Sequence, residues 1–273
     1  MDLSQVKGTA LVLSTMSAGM SAIIAQDLYI MNEKPTKLGY VKSEYISPMV
    51  QNGILSSGKL QMPCELYLSA DKKYTFMMLR STVLGGKMYQ FGEALANFVK
   101  VQCGFSGVIV LSGTMSPVGR ERTSNRDVPE IFGYCNNTLY QSTLTSGKSY
   151  YDKYQIKKFG YWLGADKKKQ LQELKEMMGG GAATKLMKVF NKHDVPLQLF
   201  VMFTPGGIDF VGGFTYYNFL KTSFEKTSLP VEGITLGKPQ MAEKDGEEVH
   251  KKVFVNKEVA TPEHWQKIIE YYF

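Results

Sequence analysis

With 273 residues and 44% hydrophobic content, the chain is long enough to bury a sizeable core, either as one large α/β domain or as two small ones. The formal net charge of +7 is almost all lysine, with arginine only at 80, 120, 122 and 126, so no dedicated nucleic-acid surface of Arg forks is indicated and an acidic protein partner stays open. Three widely spaced cysteines, Cys64, Cys103 and Cys135, indicate neither a disulfide framework nor a zinc knuckle and fit a reducing compartment.

Residues 9 to 30, TALVLSTMSAGMSAIIAQDLYI, predict a buried strand that runs through a small-residue turn into a helix. Ala10 to Leu13 form the continuous apolar run of a strand covered on both faces. Ser17 is the expected N-cap of the helix. Met20, Ile23, Ile24, Leu28 and Met31 then recur at steps of three and four, which predicts one stripe against the sheet and places Gln26 and Asn32 outward.

Short extended pieces are expected at Lys37 to Val41 and Tyr45 to Val50, and a hairpin over 64 to 80, where Cys64, Leu66 and Leu68 alternate with Glu65, Tyr67 and Ser69. Gly85-Gly86 precedes a helix of about four turns with Met88, Phe91, Leu95, Phe98 and Val99 on one stripe. Val108 to Leu111 is a second apolar strand, parallel to the first. Helices are expected over Asp166 to Met178 and Ala183 to Lys192, separated by Gly179-Gly180-Gly181. Val195 to Phe203 reads as a strand and Phe210 to Phe224 as the helix after it. The polar stretch from Pro230 to Ala260 reads as a surface loop, and Thr261-Pro262 opens a last helix.

The N-terminal MDLSQVK and the serines and threonine that interrupt the apolar run make a poor signal peptide, and no stretch reaches the ~20 apolar residues of a membrane span. The chain is therefore expected to be soluble and intracellular.

A strand feeding a helix N-terminus is the geometry that cradles phosphates, but MSAGMSA offers only Gly19 and neither a GxGxxG nor a GxxxxGK[ST] fingerprint. The loop after the second strand supplies Ser112, Thr114, Ser116, Arg120 and Arg122, which could bind an anion in a phosphorylase-like enzyme. No partner base accompanies them. His193, His250 and His264 are scattered, and GxSxG, HExxH and CxxC are missing. His193 at a helix end is explained by the dipole alone.

The C-terminus reads in two ways. Trp265, Ile268, Ile269 and Tyr272 fall at i, i+3, i+4 and i+7, the buried stripe of a last helix. Tyr271-Tyr272-Phe273 also fits a docking pattern of a hydrophobic residue, tyrosine and any last residue, in which the free carboxylate pairs with a pocket lysine while a ring fills an apolar groove.

Five stretches stand out: GTALVLSTMSAGMSAIIAQDLYI at 8 to 30 (Gly19, Ala25, Asp27 and Leu28 included), LGYVKSEYISPMV at 38 to 50, GVIVLSG at 107 to 113, GGGAATKL at 179 to 186 and the terminal helix with Trp265. In these the chain resembles the proteasome assembly chaperones. The stretches occur in order across nearly the whole chain, with the match poorest over 114 to 165 and 232 to 258. The resemblance implies a single non-enzymatic domain over 1 to 273, a three-layer α/β sandwich with a mostly parallel central sheet of phosphorylase-like type, and no cofactor or metal. It further implies pairing with a homologous first subunit, the triple glycine marking this chain as the second, and seating on the α-ring of the 20S proteasome in the cytoplasm and nucleus. Tyr271, Tyr272 and Phe273 would occupy a pocket between α subunits. The competing expectation is an enzyme with a small ligand between Gly19 and the Ser112 to Arg122 loop.

Overall fold

The apolar runs become the inner strands of one sheet. The computed structural model describes residues 3–48, 51–52, 60–115, 131–136, 157–158, 179–204 and 207–224. Strands β1 (Ala10–Ser14), β2 (Thr36–Tyr40), β5 (Cys64–Leu68), β6 (Tyr74–Leu79), β7 (Gly107–Thr114), β8 (Ile131–Cys135), β9 (Lys157–Lys158) and β10 (Leu197–Phe203) form an eight-stranded sheet in the order β2-β5-β6-β1-β7-β10-β8-β9. A two-stranded ribbon, β3 (Gln51–Asn52) with β4 (Leu60–Gln61), stands apart. The central pairings β6-β1, β1-β7 and β7-β10 are parallel, while β2-β5-β6 and β8 against β10 are antiparallel. The fold is thus α/β with a mostly parallel sheet.

Helices cover both faces. Strand side chains alternate between them, as a period of two dictates: Leu11 and Leu13 of β1 join Leu197, Leu199 and Val201 of β10 on one face, and Val12 joins Phe200 and Met202 on the other. The first face is roofed by α2 (Met88–Asn97), its six-residue π-helical continuation Phe98–Cys103, and α3 (Ala183–Lys192); the second by α1 (Ser21–Glu33) and α4 (Phe210–Phe224). Full burial of one large side chain such as Phe76 stabilises by about 2–3 kcal/mol, and both layers hold many. Glycines set the helix spacing within each layer. A Cβ on Gly213 of α4 would stand 2.5 Å from Ile24 of α1, and one on Gly92 of α2 would stand 3.0 Å from Val189 of α3.

Three expectations are corrected. Ser17 does not cap α1. The cap position is Met20, in the left-handed region at φ 52°, and the Ser17 hydroxyl instead accepts the Gly113 N–H at 2.8 Å. Gln26 does not face outward: it points at the sheet, fully buried, accepting from Ser14 Oγ of β1 at 3.0 Å and donating to the Val12 carbonyl at 3.1 Å. Residues 45 to 48 form no strand, only an isolated Ile46–Val83 bridge. The predicted helix at Asp166 to Met178, the loop at Pro230 to Ala260 and the terminal helix lie outside the described residues.

Candidate functional site

In a parallel α/β sheet the place for a ligand is the carboxyl edge, where β1, β7 and β10 end. The turn Thr15 to Gly19 leaves β1 there, and three separate segments close on it. The Ala18 N–H donates to the Gly179 carbonyl at 2.7 Å. A Cβ on Gly113 would lie 2.0 Å from the Ala18 carbonyl oxygen, and one on Gly181 would lie 2.1 Å from that of Met16. A Cβ on Gly19, whose φ is +73°, would press within 2.7 Å of Thr204 at the end of β10. Gly19 therefore serves a close contact within the chain. Its carbonyl accepts the Asp209 N–H at 2.8 Å, just before α4.

Ser112 is equally committed. Its hydroxyl donates to the Gly180 carbonyl at 2.9 Å, and its own carbonyl accepts the Tyr216 hydroxyl of α4 at 2.8 Å. Thr114 is buried at the end of β7. Ser116, Arg120 and Arg122 lie outside the described residues, as do Tyr271, Tyr272 and Phe273. Gly19 and Ser112 are thus brought to one edge of the sheet, where Gly19 packs against Thr204 and accepts from Asp209 while Ser112 holds Gly180 of the triple glycine.

The electropositive ends of α1 and α4 also converge at this edge. Between them sits the Asp209 carboxylate, which accepts the Gly212 N–H at 2.8 Å and lies 3.5 Å from the Ser21 hydroxyl. Burial raises its pKa against the pull of these hydrogen bonds. An internal carboxylate thus occupies the position an external anion would take. Thr204 Oγ1, buried beside Gly19, has no hydrogen-bond partner among the described residues.

A second polar centre went unread in the sequence. Arg80, directly after β6, clamps Asp27 of α1 with both terminal nitrogens, at 3.0 and 2.5 Å, and its Nε lies 3.9 Å from Glu65 Oε2. Glu65 also accepts from the Tyr67 hydroxyl at 2.8 Å, from the Met62 N–H at 3.2 Å and from Lys37 Nζ. Burial and the neighbouring Glu65 carboxylate push the Tyr67 phenol well above its usual range, which keeps it a donor. The available signal was compositional. Arginine is rare in this chain, and Arg80 stands at the end of an apolar strand.

Among the described residues no group of three or more His, Cys, Asp or Glu could hold a metal ion, and no helix is long and apolar enough to cross a membrane. His193 ends α3, with its ring against Glu93 of α2.

No protein-family model matches the chain. Proteasome assembly chaperone 2 of Nematostella vectensis is 25% identical over 242 residues, spanning 83% of this chain and 93% of that protein. This chain is a homologue of proteasome assembly chaperone 2. The Xenopus laevis protein of that name is 29% identical over 130 residues, 46% of this chain and 47% of its own length, and the Homo sapiens one 32% over 114 residues, 40% and 43%. The chain thus matches slightly less than half the length of these two vertebrate relatives. Among solved structures, Pyrococcus furiosus PbaA, described as an archaeal homolog of proteasome-assembly chaperone, superposes with a TM-score of 0.58 at 15% identity, covering 83% of this chain and 85% of that one. Pyrococcus furiosus PbaB, described as an archaeal proteasome activator, gives 0.56 at 12%, covering 80% and 84%. These likenesses carry the fold alone.

Proposed function

We propose that this chain is a non-catalytic subunit of a proteasome assembly chaperone. It pairs with a homologous partner, binds the α-ring of the 20S proteasome and promotes its correct assembly in the cytoplasm and nucleus. The observation that carries this reading is the similarity over 93% of the Nematostella vectensis proteasome assembly chaperone 2, joined by the same name on the vertebrate relatives. The carboxyl edge supports the non-catalytic part, because Gly19, Ser112 and Asp209 are engaged with other parts of the chain where a substrate would otherwise sit.

In this proposal Tyr271, Tyr272 and Phe273 make the α-ring contact, the terminal carboxylate pairing with a lysine and a ring filling an apolar pocket between α subunits. The test is co-expression with a candidate first subunit, followed by capture of α-ring intermediates by the full chain and by a form ending at Glu270. The full chain is expected to retain α subunits and the shortened form to lose them. Equal capture by both would remove the tail from the proposal, and no capture by either would end the chaperone reading.

A further inference from the structure

The two helical layers differ in charge. On α1 and α4 the only charged residues are Asp27, Glu33 and Lys221, and all three are paired: Asp27 with Arg80, and Glu33 with Lys221 at 3.4 Å. On the opposite side, α2 with its π-helical continuation, α3 and their flanking residues carry Lys87, Lys100, Lys185, Lys188 and Lys192 against Glu93 and Asp194.

These lysines share one surface. Lys185, Lys188 and Lys192 are spaced i, i+3 and i+7 on α3, which places them on one side of that helix. The two helices lie side by side and run the same way, since Lys185 Nζ stands 5.2 Å from the Tyr89 ring centroid near their starts and Lys100 Nζ donates to the His193 carbonyl at 2.9 Å near their ends. Glu93 is held by Lys192 at 2.9 Å and by His193, so it offsets the Lys192 end of the row and leaves Lys87, Lys100, Lys185 and Lys188 with Asp194 as the other acid on these elements.

Apolar groups stand at both ends. Tyr89 is 48% exposed, and Val101, on the π-helical turn beside Lys100, is 73% exposed. Twelve helical positions separate them, about 18 Å. The remaining outward positions on this face are largely small or uncharged: Gln90, Ala94, Asn97 and Gln102.

We infer that this face docks a carboxylate-rich protein surface bearing apolar side chains, and that its occupant is an α subunit of the proteasome ring. The occupant rests on the function proposed above, while the chemistry follows from the charge and from the exposed valine and tyrosine. A polyphosphate partner fits less well. The row holds no arginine, and an exposed valine gains nothing against a hydrated backbone. Exposed lysines of this kind act mainly by steering encounter and orienting the partner, so their contribution is salt-sensitive.

The experiment pairs the full chain, co-expressed with its first subunit, against recombinant α subunits at about 50 and about 300 mM salt. A double variant, Lys100→Glu with Lys188→Glu, is compared with a charge-matched control, Lys42→Glu with Lys72→Glu, at exposed positions outside α2 and α3. All these lysines are exposed, and thermal melting confirms that each variant folds. The face variant is expected to bind about tenfold more weakly at low salt and to lose most of the salt dependence, while the control matches the parent. Unchanged binding by the face variant would overturn the docking surface and leave the chaperone reading standing. Failure of the parent chain to bind α subunits would remove both. Loss of first-subunit pairing in the face variant, or equal affinity of the parent for a single-stranded oligonucleotide, would also overturn the inference by assigning the face to that partner.

Discussion

The Ala18 carbonyl oxygen lies 2.0 Å from the point where a Cβ on residue 113 would stand. It belongs to backbone fixed on both sides, by the Ala18 N–H bond to Gly179 and by the Ser17 hydroxyl bond to the Gly113 N–H, so it has little room to retreat. Gly113→Ala is therefore expected to cost about 3 kcal/mol, the upper part of the range for overpacking. Gly85→Ala is the contrast, because nothing lies within 4 Å of a Cβ there and its φ is not positive. It should stay within about 0.5 kcal/mol of the parent. Urea unfolding of the two variants checks the pair.

The Arg80–Asp27 clamp makes a second prediction. Both side chains are more than nine-tenths buried, so removing one charge strands the other away from water. Arg80→Met is expected to lower stability by about 3–5 kcal/mol. Adding Asp27→Leu should recover part of that loss, since it removes the stranded carboxylate, while Glu65 keeps Lys37 and the Tyr67 hydroxyl as partners. A double-mutant cycle from denaturant melts measures the coupling, and strict additivity of the two changes would contradict the geometry.

These two sites also mark where sequence reading stops. Strands β1, β7 and β10 were legible because strands covered on both faces are written as uninterrupted apolar runs, and α3 because one face of it is apolar and the other lysine-rich. Gln26 was misplaced because a polar side chain reads as outward-facing, whereas this one turns to the sheet and is satisfied there by Ser14 and the Val12 carbonyl of β1. Ser17 offered cap chemistry, yet its partner comes from Gly113, 96 residues away. Gly179 to Gly181 read as a helix break. Their larger role is to let backbone from a distant segment touch Met16 and Ala18, and no local pattern encodes that. Alternation in β5 marked a strand but could not show that Glu65 would be buried against Arg80.

The two buried thiols give a chemical check on packing. Burial, helped by the Glu65 charge, pushes the Cys64 thiol up to about 12, and burial alone pushes Cys103 up to about 11. The reactive thiolate fraction at pH 8 is then on the order of one in a thousand or less, before access is considered. In a Cys135→Ser background, native protein is expected to take up no iodoacetamide at pH 8 over a time that fully labels the urea-unfolded chain at two sites. Mass spectrometry counts the labels, and rapid native labelling at Cys64 would show that the β5–β6 hairpin opens.

Asp209 sets a pH dependence whose sign can be worked out. Burial outweighs the bonds from Gly212 and Ser21, so its pKa is higher in the folded chain than in the unfolded one. The folded state then takes up a proton at higher pH than the unfolded state does, and this residue's contribution to stability grows as pH falls from the folded pKa to the unfolded value near 3.9. Below the unfolded value the contribution is constant. Above the folded pKa the buried charge counts against folding, and the hydrogen bonds at the start of α4 only partly offset it. Asp209→Asn keeps an acceptor for the Gly212 N–H and removes the charge, so it is expected to match or exceed the parent in stability at pH 7. Asp209→Ala loses the cap as well and should fall below Asp209→Asn by about 1 kcal/mol. Thermal melts of the three proteins from pH 7 to pH 4 test this. The gap between Asp209→Asn and the parent should narrow as the pH drops, and a gap that widens would mean that the carboxylate, rather than the carboxylic acid, is the form the fold prefers.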